Sequence, residues 1–86
     1  MTEIIKKCEK KMFDKILSGE KRFEVRLGDM NVNSGDVLLL KETINDSETG
    51  RVIKKKVGFS LKTKELNYWP DKEVNKFGFI IMQLED

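Results

Sequence analysis

The sequence has no histidine, one cysteine, one proline and no long apolar run. The lack of histidine removes the usual general base near neutral pH, the commonest metal ligand and any Ser-His or Cys-His pair. A single cysteine, Cys8, cannot form an internal disulfide. No stretch approaches the roughly 20 apolar residues of a membrane span or the pattern of a secretory signal. We therefore expect a cytoplasmic protein with no metal, no other cofactor and no membrane partner.

The length and the charge of the chain indicate how many domains it has and what it could bind. The chain has 86 residues, of which 38% are hydrophobic, and a formal net charge of +2. This is enough for one small core, so we expect a single domain over residues 1–86. The charge is uneven, because residues 51–64 contain six basic residues and no acidic one: Arg51, Lys54, Lys55, Lys56, Lys62 and Lys64. Such a segment either contacts the phosphates of a nucleic acid or forms a solvated strand face.

The hydrophobic pattern predicts one helix and five strands. The helix covers residues 9–18 and ends at Gly19, and the strands cover residues 2–8, 22–27, 36–42, 51–61 and 77–84. Residues 45–50 form the loop of a hairpin, and residues 62–76 form a loop or a short helical turn. This order predicts an α+β fold, in which a mixed or antiparallel sheet curls into a small β-barrel and one main N-terminal helix packs at one end.

The strand at residues 22–27 alternates strictly between apolar and charged side chains. The alternation predicts a buried face with Phe23, Val25 and Leu27 and an exposed face with Arg22, Glu24 and Arg26. On these grounds alone, the charged residues form either a surface ion-pair network or a functional site.

Four smaller features leave alternatives open. Alternation sends Lys55 to the side of its strand opposite Lys54 and Lys56, so the three lysines cannot all face one ligand. Gly58 marks a bulge or a bend of the barrel. Cys8 is either a buried, inert thiol or one activated by nearby lysines. Tyr68 and Trp69, in the 62–76 segment, either cover the barrel end or stack on an unpaired base.

Two segments together resemble a known family. They are Ile-Leu-Ser-Gly-Glu-Lys-Arg-Phe-Glu-Val-Arg at residues 16–26 and Gly-Asp-Val-Leu-Leu-Leu at residues 35–40. In this order, after an amphipathic helix, they resemble the ASCH domain of the PUA-like superfamily, and most of all its short uncharacterised members. The resemblance implies a PUA-like β-barrel, a fold associated with RNA binding, with a cleft lined by Lys21, Glu24 and Arg26.

The first function that the resemblance implies is binding of single-stranded RNA or of a nucleoside or nucleotide, by a protein that we expect to be a monomer. The candidate binding residues are Lys21, Glu24 and Arg26 in the cleft, Arg22, Lys54 and Lys56 on phosphates, and Tyr68 or Trp69 on a base.

A second function follows from a similar branch of the family, which hydrolyses acetylcytidine to cytidine and acetate. Lys21 and Arg26 match residues of that branch, whereas Glu24 stands where the branch has a threonine. Glu24 would therefore activate a water, with Lys21 or Arg26 stabilising the oxyanion, and Glu65 or Glu73 would supply the later glutamate of that branch. The candidate catalytic residues are thus Lys21 and Glu24. A third possibility is a protein-interaction domain that uses an exposed strand edge.

Overall fold

A computed structural model of the chain describes residues 2–66 and 77–86. The elements are β1 (Glu3–Glu9), α1 (Lys10–Leu17), β2 (Phe23–Leu27), β3 (Val37–Ile44), β4 (Ser47–Lys62), a 3-10 turn (Thr63–Glu65) and β5 (Phe79–Glu85). The strands form one sheet in the order β1-β3-β4-β5-β2. β1 and β3 are parallel and the other neighbours are antiparallel. The expected α+β class and mixed sheet are confirmed.

The sheet is not a closed barrel within the described residues, which corrects the sequence-based expectation. β1 and β2 stand at opposite ends of the strand order and share no backbone ladder. A barrel closes only when its first and last strands pair along their length. The described part of the chain therefore has two sheet edges, formed by β1 and β2.

The hairpin between β3 and β4 is tighter than predicted. Asn45 and Asp46 alone form the turn, and both have positive φ, at 48° and 65°. Left-handed residues at both central positions characterise the type I′ turn, whose twist matches that of the flanking strands. Pairing resumes at once, because Ile44 pairs with Ser47. The predicted loop at residues 45–50 was therefore too long, and β4 begins four residues earlier than expected.

Helix α1 covers one face of the sheet. Phe13 and Ile16 are each only 1% exposed and belong to the hydrophobic core. We call the face that packs against α1 the inner face and the opposite one the outer face. The buried core residues on the inner face of the strands are Cys8, Leu38, Leu40, Ile53, Val57, Ile80, Met82 and Leu84.

The orientation of β2 is the reverse of the prediction. The two predicted faces exist, but Glu24 is 6% exposed and lies on the inner face with Arg26. Phe23, Val25 and Leu27 are 43–50% exposed on the outer face. The sequence-based assignment of a buried apolar face and an exposed charged face was therefore wrong for this strand.

Two irregularities interrupt β4. The first lies opposite Glu42, where the register with β3 shifts between Lys41 and Thr43. The second lies between Val57 and Ser60, where the register with β5 shifts. Gly58 lies in this second irregularity, so its predicted place at a bulge is confirmed. Each bulge turns side chains away from simple alternation.

The described elements also bear on membrane insertion. Across residues 2–66 and 77–86, no helix combines the length and the apolar character needed to cross a membrane.

Candidate ligand-binding site

Lys21, Glu24 and Arg26 form a cluster on the inner face, which we call the charged seam. The Nζ atom of Lys21 lies 2.9 Å from Oε1 of Glu24, and Nη2 of Arg26 lies 3.2 Å from Oε2 of the same carboxylate. The three side chains are 14%, 8% and 27% exposed, respectively. A carboxylate and two cations are thus largely withdrawn from water, which costs solvation energy that surface ion pairs do not lose.

The end of α1 positions Lys21. Gly19 adopts a positive φ of 84°, and its N–H donates to the carbonyl of Ile16 at 3.1 Å. The N–H of Lys21 then donates to the carbonyl of Lys15 at 3.0 Å. Glycine is the residue that adopts this left-handed conformation most easily, so it ends the helix and turns the chain toward β2. The Lys21 side chain is thereby brought beside β2, where its Nζ contacts Glu24 and lies 5.1 Å from the centre of the Phe23 ring.

Arg26 joins the two edges of the sheet. Its Nη2 donates to the backbone carbonyl of Lys7 in β1 at 2.6 Å, as well as to Glu24. The sheet must therefore curl until β2 approaches β1, although the two strands do not pair. The Nε atom of Arg26 is buried and has no hydrogen-bond partner within residues 2–66 and 77–86. This guanidinium keeps a donor that the described protein does not use.

Glu24 is the centre of the charged seam. Its carboxylate accepts hydrogen bonds from Lys21, from Arg26 and, at 3.2 Å, from the N–H of Val25. Arg22 and Gly28 pair with β5 through their backbones, so the N–H of Val25 points to the free edge of β2. A carboxylate offers about four lone-pair positions, and at least three are in use. The same contact occupies part of the strand edge that a protein partner would need.

Cys8 lies between the charged seam and a second charged cluster. It is 5% exposed, and its register partner in β3 is Glu42. Burial raises the pKa of the Cys8 thiol, Glu24 raises it further, and Arg26 offsets part of this increase. The thiol is therefore held in its neutral, poorly nucleophilic form. The prediction of a buried, inert cysteine agrees with this placement.

The second cluster joins α1 to the β3–β4 hairpin. Glu42 is buried and accepts hydrogen bonds from Oγ1 of Thr49 at 2.6 Å and from the guanidinium of Arg51. Arg51 also donates to Asp14 at 2.8 Å and lies 4.9 Å from the centre of the Phe13 ring. The first bulge of β4 makes this possible, because it directs both Thr49 and Arg51 at one carboxylate.

The charged groups of this second cluster shift one another's pKa values. Arg51 and Thr49 hold the pKa of Glu42 below its ordinary value, and Lys10 and Arg51 do the same for Asp14. Glu42 and Asp14 in turn raise the pKa of Arg51. Because the charges satisfy one another, we interpret this cluster as structural. The sequence contained one usable signal, since Glu42 continues the alternation of the buried Leu38 and Leu40.

The structure places Arg22, Lys54 and Lys56 outside the charged seam. Arg22 donates to the carbonyl of Gly19 at 3.2 Å and lines a different cavity of about 310 Å³. Lys54 and Lys56 are exposed on the outer face, whereas Lys55 points to the inner side and pairs with Asp86. The predicted alternation of the three lysines is confirmed. A single site that combines Lys54 and Lys56 with the charged seam is not formed.

Of the remaining candidates, Glu65 lies within the described residues. Tyr68, Trp69 and Glu73 lie outside the described residues. Glu65 lies on the 3-10 turn and lines a polar cavity of about 400 Å³ with Asn31, Ser60 and Lys62. Within the described ranges, no three His, Cys, Asp or Glu side chains form a group that could hold a metal ion.

These observations define a class: a small α+β protein in which a curled mixed sheet brings a largely buried carboxylate and two cations to the meeting of its edge strands. The chain belongs to the family described as "Domain of unknown function (DUF3850)", whose family model matches residues 5–73.

A curated relative is the "Uncharacterized 12.9 kDa protein in GpA 3'region" of Escherichia phage P2. It is 39% identical over 51 residues, which is 59% of this chain and 47% of the relative. The chain thus matches about half the length of this relative. Neither description names a ligand or an activity, so the resemblance to the ASCH domain stays a prediction.

Proposed function

We propose that this protein binds RNA or a nucleotide, and that the charged seam contacts one nucleotide unit. The proposal rests on one observation: the Nε atom of Arg26 is buried and has no hydrogen-bond partner in the described part of the chain. Buried donors without partners are rare in folded proteins, and each calls for an explanation. A ligand that contacts the guanidinium, with a small rotation of Arg26, would supply the missing acceptor.

The chemistry of the seam fits a nucleotide better than a simple anion. Lys21 and Arg26 donate hydrogen bonds of the kind that bind phosphate or a base carbonyl. Glu24 between them would repel a phosphate, but its remaining acceptor capacity suits the exocyclic amine of a base. A nucleotide presents both kinds of group. The base edge would lie at Glu24, and the negative charge would lie toward the more exposed side of Arg26.

The fold adds support for a PUA-like relationship. The sheet is mixed, a single helix covers its inner face, and Arg26 holds the β1 and β2 edges together. We propose that this is a PUA-like barrel that is open at the β1–β2 edge. The prediction of an ASCH-type cleft at Lys21, Glu24 and Arg26 is part of this proposal.

Hydrolysis lacks a supporting observation of its own. Glu24 accepts hydrogen bonds from two cations and a backbone N–H, and the acceptor position that remains suits a base amine as well as a water. The prediction that Lys21 and Glu24 are catalytic therefore stays a prediction.

The test is an amide NMR titration of labelled protein with the four nucleoside monophosphates and the matching nucleosides. We expect saturable shifts at Lys21, Val25 and Arg26 with at least one nucleotide. Lys21→Met and Arg26→Met should each weaken this binding about 10- to 100-fold, the effect of losing one charge-assisted hydrogen bond. Arg22→Met is the matched control, because Arg22 is a nearby cation outside the seam.

Two results would contradict the proposal: no saturable shift with any of these ligands, or equal affinity in the wild type and both seam variants. Acetylcytidine, added to the same samples, reports on the alternative function. A signal of free acetate that grows with time in the wild type and not in Glu24→Gln would indicate amide hydrolysis.

A further inference from the structure

The outer face of β2, β4 and β5 carries an unusual set of exposed apolar side chains. Their exposed fractions run from 36% to 70%, and the residues are Phe23, Val25, Leu27, Phe59, Phe79 and Ile81. The patch is continuous across the strands, because Val25 and Leu61 both pair with Ile81, and Leu27 pairs with Phe79. Contiguous apolar patches of this kind on a protein surface mark interaction sites.

Phe59 is presented by a dedicated local structure. It is 70% exposed and lies in the second bulge of β4, next to Gly58. The bulge frees the N–H of Phe59 from the ladder, and Oε1 of Gln83 accepts it at 3.2 Å. A Cβ atom on residue 58 would lie 2.9 Å from the same oxygen, so glycine leaves room for this contact. Bulges often aim a side chain at a functional surface, and here the aimed side chain is an aromatic ring.

A second aromatic ring stands in the same row. Gln83 pairs with Phe23 of β2 and lies opposite the bulge that carries Phe59. Phe23 and Phe59 therefore flank Gln83 on neighbouring strands, about 10 Å apart by the usual strand spacing. Both rings are at least half exposed. We call Phe23 and Phe59 the aromatic pair.

The outer face next to the aromatic pair is basic. Lys54 and Lys56 project from it, about 6.6 Å apart along β4. Residues 51–62 of β4 contain no acidic side chain, but carboxylates of neighbouring strands lie near both lysines. Nζ of Lys54 lies 3.5 Å from Oε2 of Glu3, and Lys56 pairs in register with Glu85. Exposed ion pairs of this kind are weak, so they leave both lysines available to a phosphate. Phosphate groups would be attracted to this end of the sheet.

We propose that the outer face binds single-stranded RNA, with bases stacked on the aromatic pair and phosphates contacted by Lys54 and Lys56. This site lies on the outer face, whereas Glu24 and Arg26 lie on the inner face, so it goes beyond the nucleotide site proposed above. The two sites meet at Phe23, because Nζ of Lys21 lies 5.1 Å from the centre of its ring. Sheets with exposed aromatic rings bind unpaired bases by stacking, and nearby cations follow the backbone. A single strand is required, because the bases of a duplex already stack on one another.

A second copy of the chain is a poorer fit to this face. A symmetric dimer would bury the same face of both copies, and with it four positive charges, Lys54 and Lys56 of each copy. Like charges brought together in an interface are unfavourable, whereas an anionic partner gains from them.

The test is fluorescence anisotropy with a labelled ten-nucleotide oligouridylate at several salt concentrations. Phe59→Ala should weaken binding about 5- to 150-fold, as expected for the loss of one stacked base. Phe59→Leu keeps an apolar side chain but lacks the ring, and should also bind more weakly. In the Lys54→Ala/Lys56→Ala variant, the slope of log affinity against log salt should fall by about 1.4, or about 0.7 per lost phosphate contact. Met12→Ala is the control, because Met12 is an exposed apolar residue on α1.

Equal affinity in the wild type and both Phe59 variants would overturn the inference. So would a concentration-dependent dimer, seen by light scattering, that Phe59→Ala abolishes, because the face would then be a contact between copies. The two sites can fail separately. Nucleotide shifts at the charged seam that persist while RNA binding ignores Phe59 would leave the proposed function standing and remove only the outer site.

Discussion

Arg26 in β2 donates a hydrogen bond to the carbonyl of Lys7 in β1, so a single side chain links the two edges of the sheet. The same nitrogen, Nη2, also donates to the carboxylate of Glu24 at 3.2 Å. One terminal nitrogen of Arg26 therefore serves both the edge carbonyl and the buried carboxylate.

Replacement of Arg26 should therefore destabilise the fold. We expect Arg26→Met to lower the free energy of unfolding by about 1.5 to 3 kcal/mol, the range for hydrogen bonds to charged groups. Arg26→Lys should recover only part of this, because the lysine side chain is one atom shorter and its ammonium does not reach the position of Nη2. Urea unfolding at pH 7 measures both, with Arg22→Met as the exposed control, expected within about 0.5 kcal/mol of the wild type. A wild-type value for Arg26→Met would mean that the link does not stabilise the fold.

The turn between β3 and β4 gives a second prediction. Asp46 has φ of 65°, a conformation that costs most side chains about 1 to 2 kcal/mol. Asp46→Ala should therefore lower the free energy of unfolding by about 1 kcal/mol, since alanine lacks the local hydrogen bonds of aspartate. Asp46→Gly should equal or exceed the wild type, because Asn-Gly is a preferred type I′ pair. Thermal unfolding of the three proteins gives the order, and a glycine variant less stable than the alanine variant would contradict the assignment.

Acid should weaken the contact between α1 and the hairpin. The pKa of Glu42 is lowered in the folded protein by Arg51 and Thr49, so the unfolded chain binds more protons as the pH falls. The stabilisation is complete above the ordinary glutamate pKa of 4.5 and is lost as the pH falls through that value toward the lower folded pKa. Asp14, lowered by Lys10 and Arg51, acts in the same direction.

Glu42→Gln should therefore make the loss of stability below pH 4.5 shallower, as measured by urea midpoints from pH 7 to pH 2.5. Arg51→Met removes the main cause of the shift and should flatten the same region. The double variant should show little more effect than either single one, because the two residues act on one contact. An acid profile that keeps its wild-type shape in both single variants would refute the role of this pair.

Cys8 should react slowly. Its burial raises the pKa of the thiol and also blocks access, so both the thiolate fraction and the contact with reagent are small. We expect alkylation by iodoacetamide at pH 8 to be more than about tenfold slower in the folded protein than in urea. Similar rates in both states, followed by mass spectrometry, would show that β1 opens readily at this position.

The strand at residues 22–27 shows what the sequence could and could not predict. Period-two alternation separated Glu24 and Arg26 from Val25 correctly, because it follows from the geometry of any strand. Which set faces inward depends on what covers the strand. Here Lys21, in the segment after α1, and the β1 edge contact the charged side, and the backbone carbonyl of Lys7 is one of its partners. The side-chain pattern of β2 contains no signal that a backbone carbonyl of β1, at the other end of the strand order, accepts a hydrogen bond from Arg26.

The bulges mark a second limit. The sequence located Gly58 at a bulge, since glycine in a strand often signals one. It did not predict that Phe59 beside it would be exposed, nor that Thr49 and Arg51 would meet at Glu42. Each result depends on one strand carrying more residues than its partner, which is a property of the pair and not of either strand alone.

The order of strands in the sheet has a consequence for how the chain folds. β1 cannot pair before β3 has formed, because Glu3 pairs with Val37. In the same way, β2 cannot pair before β5 has formed, because Phe23 pairs with Gln83. Folds dominated by such distant partners form on a scale of about milliseconds to seconds. Both edge strands must be paired with their neighbours before Arg26 can reach Lys7. We therefore expect the charged seam to assemble in the last step of folding. A nascent or partly opened chain would accordingly lack this site while its central β3–β4 hairpin was already formed.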